Sequence, residues 1–392
     1  MLGLLLARAG VQVTVFEKHG DFLRDFRGDT VHPVTLTLLD DLGLYPQFEA
    51  LTHSELQRVG FTTADGQFVT IADFSRLRER HPLLALVPQW DLLDLLADAA
   101  KAEPGFTLRM STEVTGLIDE QGRITGVRYR GPDGPGELIA DLTVACDGRT
   151  STLRHAAGMV PREFPVPFDV AWFRLDATEP IRYQLTPRFA PGQAVILIPR
   201  EGYYQAGALL PKGGAEALHA GDLSEFKSRV GAMVPEASTD RLTSWDDVKT
   251  LDVRLNRLPR WHKPGLLCIG DAAHAMSPAG GVGINLAIAD AVAAARILAG
   301  PLRAGRVTEE ELAAVQRRRE LPARLTQLAQ RVMHVGVGRI ARGGVPDPPP
   351  SIRRAGIALL RRFPGLTVIP AYLVGVGIRP ERAPDFARRQ PA

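Results

Sequence analysis

One stretch restricts the fold of this chain more than any other: Gly265-Leu266-Leu267-Cys268-Ile269-Gly270-Asp271-Ala272-Ala273-His274, continued by Ala275-Met276-Ser277-Pro278-Ala279-Gly280-Gly281-Val282-Gly283-Ile284-Asn285. The apolar run that stops at Asp271 reads as a buried strand, and the small-residue run from about Asn285 to Ala299 reads as a long helix. An acidic residue at the carboxyl end of a strand can accept a hydrogen bond from a ligand hydroxyl. The glycines between strand and helix let main-chain N–H groups approach a planar ligand closely, and the helix amino terminus presents partial positive charge to an anion. Taken alone, the stretch also fits an ordinary strand-turn-helix whose glycines only permit tight packing, or a site for another phosphate-bearing ligand.

The chain opens in a related way. Leu2 to Gly10 looks like a helix ending at a glycine, and Val11, Val13, Val15 and Phe16 make a short strand that ends at Glu17. Helix, glycine, strand and terminal acid form the back half of a βαβ dinucleotide-binding unit, in which the strand-end carboxylate binds a ribose diol. That carboxylate lies about 20 residues beyond the first glycine of the phosphate loop. Only 16 residues precede Glu17, so the first strand and its GxGxxG turn are expected before Met1. Read without that context, Glu17 is equally a surface carboxylate at a strand end.

Length and composition narrow the class. With 392 residues, 45% of them hydrophobic and 23% charged, the chain has room for two or three domains at roughly 100–200 residues each. Its 2 cysteines, Cys146 and Cys268, exclude a disulfide framework; both sit at strand ends and are expected to be buried and inert. Met1 to Ala7 lacks the basic start of a signal peptide, and no apolar stretch reaches the ~18–20 residues of a membrane span. Residues 351–392 carry eight arginines against Glu381 and Asp385, so the net charge of +3 divides into +6 for that tail and −3 for the rest. A solvated helix and an anionic partner or membrane surface both fit such a tail. The chain is aromatic-poor and has no nucleic-acid-binding motif. There is no GxSxG, HExxH or paired-carboxylate arrangement, and His274 has no partner ligands at metal-binding spacing.

Along the chain, 34–44 and 88–102 have helical spacing, and 55–80 and 105–147 read as β-rich with turns at Asp65-Gly66, Gln121-Gly122 and Asp133-Gly134. Residues 165–255 suggest an antiparallel sheet followed by a helix near 222–234. Thr308-Glu309-Glu310-Glu311 reads as a capping box opening a helix that Pro322 stops. The expected fold is α/β: a Rossmann-like domain from 1–54, 82–164 and 256–300, a smaller antiparallel sheet plus helix domain from 55–81 and 165–255, and a helical C-terminal region over 301–392.

Two segments carry a family resemblance. GDAAHAMSPAGGVGINLAIADA, from Gly270, resembles the second flavin motif of the FAD-dependent aromatic hydroxylases, the para-hydroxybenzoate hydroxylase-like single-component monooxygenases. ACDGRTSTLR, Ala145 to Arg154, resembles their middle motif, which serves both FAD and NAD(P)H. The likeness runs in order from residue 1 to about 300. It implies an enzyme in which NAD(P)H reduces FAD and a flavin C4a-hydroperoxide hydroxylates a small aromatic or polyketide-like substrate with dioxygen. Residue by residue, it places Glu17 on the adenosine ribose, Arg27 at the phosphates or ribityl region, Gln89 by the ribityl chain and the Val114 backbone near the adenine. Asp147 and Gly148 belong to the shared motif, which Arg154 closes. Asp271 holds ribityl or ribose hydroxyls, while Pro278, Gly281, Gly283 and Asn285 line the pyrimidine side of the isoalloxazine. No catalytic acid or base and no metal is implied. Candidate substrate groups on the β-rich domain are Trp172, Arg174, Tyr183, Tyr203 and Tyr204, although aromatic residues on strands are usually core. A flavoprotein reductase, oxidase or halogenase of the same fold, or a truncated chain unable to hold FAD, are the alternatives. A cytoplasmic enzyme with no nucleic-acid partner is expected, with peripheral membrane contact through the basic tail as a further expectation.

Overall fold

The computed structural model describes residues 1–23, 30–62, 68–181, 185–190, 193–341 and 350–389. Helix α1 (Leu2–Arg8) ends as the sequence predicts: Gly10 has φ +80°, and the amides of Gly10 and Val11 bond back to the carbonyls of Ala7 and Leu6 at 2.9 and 3.0 Å. It leads into β1 (Val13–Phe16). The short strand β2 (Thr30–Val31) precedes α2 (Pro33–Asp41) and α3 (Tyr45–Glu49). Next come β3 (Ser54–Leu56), the hairpin of β4 (Arg58–Thr62) and β5 (Phe68–Asp73), and β6 (Leu84–Leu86), which pairs with both β2 and β3. Helix α4 (Gln89–Lys101) returns the chain to β7 (Phe106–Arg109), parallel to β1. Gly3 lets α1 lie close on that pair, since a Cβ there would come within 2.7 Å of the Phe106 ring. Leu4, Leu5 and Leu6 are buried in one cluster with residues of α2, α4 and the apolar helix described below.

A meander of β8 (Glu113–Glu120), β9 (Arg123–Gly131) and β10 (Gly134–Ile139) follows, its first turn carrying Gln121 and Gly122 at φ +52° and +85°. Strand β11 (Thr143–Ala145) and the short helix α5 (Thr152–Ala156) complete this part. Strand β12 (Arg162–Phe164) leads to the largest sheet. Its strands are β13 (Phe168–Ala177), β14 (Thr186–Ala190), β15 (Gln193–Pro199), β16 (Tyr203–Pro211), β17 (Ala237–Ser238) and β18 (Lys249–Leu251), in the order β14-β15-β16-β13-β17 with β18 on β13. Helices α6 (Ala215–His219) and α7 (Leu223–Met233) follow β16, and Phe226 and Val230 of α7 close the core under Phe173, Leu175, Leu197 and Ala206. This is the antiparallel sheet and helix that the sequence predicts over 165–255.

Strand β19 (Leu255–Arg257) pairs with β12, and β20 (His262–Lys263) with β21 (Leu266–Cys268), which lies parallel to β11. The short helix α8 (Asp271–His274) and α9 (Gly283–Arg303) come next. By length and hydropathy α9 could cross a membrane, but 56% of its apolar window is buried inside the protein. The tail holds α10 (Glu309–Ala341), α11 (Pro350–Arg362) and α12 (Val368–Gly375). Glu311 takes both the amide and the hydroxyl of Thr308 at 2.6 Å, as the capping pattern suggests. Contrary to expectation, Pro322 does not stop the helix, which runs through it for 33 residues. Proline removes the donor that would satisfy the Arg318 carbonyl, and Arg379 Nη1 bonds that oxygen instead, at 3.3 Å. Three of the tail arginines are thus engaged with the body: Arg379 here, Arg382 on Glu79 at 2.6 Å and Arg388 on Asp41 at 3.2 Å.

Candidate flavin site

The parallel register of β11 and β21 sets Ala145 opposite Cys268. Ile269 N donates to Ala145 O at 3.1 Å, so Cys146-Asp147-Gly148 and Gly270-Asp271 emerge side by side at the carboxyl ends of adjacent parallel strands. In open α/β sheets, that edge is where ligands bind. Gly270 turns the chain with φ +59°, and Asp271 follows with its side chain 29% exposed and one oxygen 3.5 Å from Arg149 Nη2. Arg154 is buried and staples the two segments, donating to Ala272 O at 2.9 Å and Arg149 O at 2.8 Å. Asp147 accepts from Leu153 N at 3.0 Å and from the Ser151 hydroxyl, so its carboxylate caps α5, while Gly148 at φ +85° turns the chain beside it. Cys268 is buried, but Cys146 is exposed, against expectation: it lies one residue beyond the paired part of β11.

Beyond α8 the chain makes the glycine turn. Gly280 and Gly281 have φ +83° and +61°, and a Cβ on Gly281 would come within 2.9 Å of Thr30 Cβ, so side chains are excluded from this surface. Pro278 and Gly283 flank it, half-buried. Among the described residues, the first turn of α9 has no side-chain cap at Val282, which leaves it open to a ligand's partial negative charge. Asn285 is engaged within the turn itself. Its oxygen accepts from His32 N (3.0 Å) and Thr35 Oγ1 (2.8 Å), and its nitrogen donates to Thr30 O (2.9 Å) and Gly281 O (3.1 Å). All four hydrogen-bonding positions of the amide are thereby used, so the side chain shapes the turn and has none left for a ligand. Gln330 on α10 braces the turn from the other side, accepting from Ser277 N at 3.1 Å and donating to the carbonyls of Ser277 and Ala279 at 2.9 Å.

Glu17 stands at the carboxyl end of β1, its Oε1 accepting from His19 N at 2.9 Å. Val114 is on β8 opposite Tyr129, whose ring lies 5.0 Å from that of Phe16, so Val114 and the Glu17 end of β1 are neighbours. Gln89 begins α4, half-buried. Arg27 and Tyr183 lie outside the described residues. On β13, Trp172 and Arg174 alternate with the buried Ala171, Phe173 and Leu175 and so occupy the opposite face. The Arg174 guanidinium stacks 3.9 Å above the Tyr203 ring, and a Cβ on Gly207 would come within 2.8 Å of the Trp172 ring. Tyr204, contrary to expectation, does not share that face: opposite Leu175 in the register, it points into the core against α7 and is 6% exposed.

Two groups escaped the sequence reading. His334 of α10 is buried edge-on to Phe168, with ring centroids 5.1 Å apart, and among the described residues neither ring nitrogen has a hydrogen-bond partner; burial pushes its pKa down. The Trp172 indole nitrogen, on the same face of β13 as Phe168, is likewise without a partner among the described residues. Gln327, Gln330 and His334 fall three and four residues apart, a one-face helical spacing that is visible in the sequence. The second group is Asp290, a carboxylate in the middle of the apolar α9, with His274 Nε2 2.6 Å from its Oδ2.

Comparison with known proteins places this geometry. A family model described as FAD binding domain matches residues 1–329. The 6-methylpretetramide 4-monooxygenase of Streptomyces rimosus is 37% identical over 350 residues, covering 87% of this chain and 82% of that protein. A 12-dehydrotetracycline 5-monooxygenase/anhydrotetracycline 6-monooxygenase of Streptomyces rimosus subsp. rimosus is 30% identical over 309 residues, covering 74% of this chain and 58% of that protein. Among solved structures, p-nitrophenol 4-monooxygenase PnpA from Pseudomonas putida DLL-E4 superposes with a TM-score of 0.75 at 17% identity, covering 95% of this chain and 93% of that one. OxyS anhydrotetracycline hydroxylase from Streptomyces rimosus gives 0.73 at 24% identity, covering 95% and 73%. At these identities the two structures establish the fold.

Proposed function

The chain belongs to the FAD-binding domain family and is an FAD-dependent monooxygenase, and from that premise we propose that it hydroxylates a fused-ring aromatic polyketide held between the β13–β16 sheet and the glycine turn. The observation that carries this reading is the meeting of the two motif segments at the carboxyl ends of β11 and β21, beside a turn where side chains are excluded. The substrate class draws on the names of the relatives that act on 6-methylpretetramide and anhydrotetracycline.

The residues present suit a flavin. Asp271 offers a carboxylate to hydroxyls of the ribityl chain or ribose, and Arg149 beside it adds a cation. Glu17 would serve the adenosine ribose, the Val114 backbone the adenine and Gln89 the ribityl chain. Gly281, Gly283 and Pro278 present a flat backbone surface to the pyrimidine side, which the uncapped amino end of α9 supplies with partial positive charge. Asp147 and Gly148 set the course of the shared motif. When bound, FAD supplies the redox chemistry: one NAD(P)H and one dioxygen yield one hydroxyl on the ring and one water. The chain itself positions the ring and excludes water. Trp172, Arg174 and Tyr203 supply a wall to stack on, and His334, held neutral by burial, has an N–H and a lone pair for a phenol or carbonyl of the substrate.

Titrating the FAD-loaded protein with a tetracyclic aromatic polyketide tests the assignment. We expect a perturbed flavin spectrum and faster NAD(P)H oxidation, with KM raised about tenfold in Trp172→Ala; oxidation indifferent to every aromatic compound would contradict it. The segment of α11 and α12 extends the proposal to an anionic membrane surface, supported by exposed Leu366, Ile369, Tyr372 and Leu373 close in sequence to Arg361 and Arg362. Cosedimentation with anionic but not neutral vesicles is the expected result, and equal pelleting with neither would refute it.

A further inference from the structure

A buried ionic chain connects the flavin site to the C-terminal segment. Asp290, 1% exposed, accepts from the Gly270 amide at 3.0 Å through Oδ2, the oxygen that also faces His274, and from Arg319 Nε at 3.0 Å through Oδ1. Arg319, equally buried, donates Nη1 to Arg379 O at 3.0 Å and lies 3.5 Å from Glu381 Oε1. Arg318 grips both oxygens of Glu381 at 2.7 and 2.9 Å. Residues 382–388 are then fastened outward, Arg382 to Glu79, Arg388 to Asp41 and the Ala387 carbonyl to Arg8.

Such a string is costly, because charges taken out of water recover the loss only through close pairing; apolar side chains of equal volume often stabilise as well. Burial alone would push the Asp290 carboxyl up, but His274, Arg319 and the Gly270 amide together hold it below its ordinary range. What this carboxylate fixes is specific. Gly270 has φ +59° and ψ −143°, a conformation that leaves the next residue, Asp271, at the carboxyl edge of β21. Asp290 supplies a side-chain acceptor to that amide, from a helix 20 residues further along the chain.

We propose that Asp290 is a positioning residue of the flavin site, and that Glu381 acts on flavin affinity through Arg319 and Asp290 without touching the cofactor. This rests on the assignment of FAD to the site. The C-terminal segment is then part of the cofactor site's support, and its docking and flavin binding favour one another, since coupling between two equilibria is reciprocal.

A double-mutant cycle on the full chain tests this. Apoprotein of wild type, Asp290→Asn, Glu381→Gln and the double variant is titrated with FAD by fluorescence quenching, and thermal unfolding is recorded without flavin. We expect FAD affinity to fall about tenfold in each single variant, with the double variant no weaker than Asp290→Asn alone, because both act through one path. If Asp290→Asn does not fold, Glu381→Gln with Arg319→Lys decides. Lysine cannot serve Asp290 and Arg379 O together, so it should reproduce the loss. Glu381→Gln that lowers the unfolding temperature yet binds FAD within twofold of wild type would overturn the coupling and leave the chain of charges a purely structural device. Strictly additive losses would overturn it as well. A wild-type chain that takes up no FAD would overturn the flavin assignment and the coupling with it, an outcome distinct from the first two.

Discussion

Asp271 stands half-exposed beside Arg149, whereas Asp147, the other acid of the paired motif segments, spends its carboxylate on a helix cap. Their variants should therefore separate. Asp271→Asn should weaken FAD binding about tenfold or more with little change in stability, since a hydrogen bond to a charged group contributes about 1.5–3 kcal/mol. Asp147→Asn should lower thermal stability first, and FAD titration alongside thermal unfolding distinguishes the two. His334→Phe should raise KM for the aromatic substrate severalfold while leaving the FAD dissociation constant unchanged; an unchanged KM would remove His334 from the substrate wall. His32 gives a pH dependence. Burial pushes its pKa down to about 4 from an ordinary 6.5, so the folded state resists a proton that the unfolded chain accepts. Stability is then lost as pH falls below 6.5, on the order of 2 kcal/mol by pH 5. Denaturant unfolding at pH 7 and pH 5 should show that loss in wild type and a smaller one in His32→Gln. At this scale the sequence reveals Asp271 and the glycines, because their chemistry is local. The roles of Asn285, Asp290 and His334 depend on partners up to 255 residues away, which no local pattern contains.

Elements were more legible than contacts. The glycine-terminated α1, the strand ending at Glu17, the 222–234 helix and the antiparallel sheet all follow from periodicity and turn chemistry. Pro322 marks where that reasoning fails: a helix passes through proline when a distant donor, here Arg379, satisfies the carbonyl left over. The turn between α8 and α9 makes a sharper prediction. Gly281→Ala would place a Cβ against Thr30 at a φ of +61°, so it should cost about 1–3 kcal/mol of stability and weaken FAD binding together. Gly300→Ala, a helical position where a Cβ meets nothing within 4 Å among the described residues, should do neither.

Over the whole molecule, the two parallel pairs, the glycine turn and the large sheet bring a cofactor edge and a candidate substrate wall toward one another, while α10 contacts both through Gln330 and His334. The family was readable from its motifs because each lies in one continuous stretch of sequence. Substrate was not, because the wall is built from strand residues whose alternation looks the same in a core and in a pocket, as Trp172 and Tyr204 illustrate. Oxygen transfer to an aromatic ring by this chain with FAD is read out by turnover of a tetracyclic aromatic polyketide under ¹⁸O-labelled dioxygen, with FAD and NAD(P)H. We expect one labelled oxygen atom in the product for each NAD(P)H consumed; a product reduced by two hydrogens and free of label would show that the chain is a reductase instead.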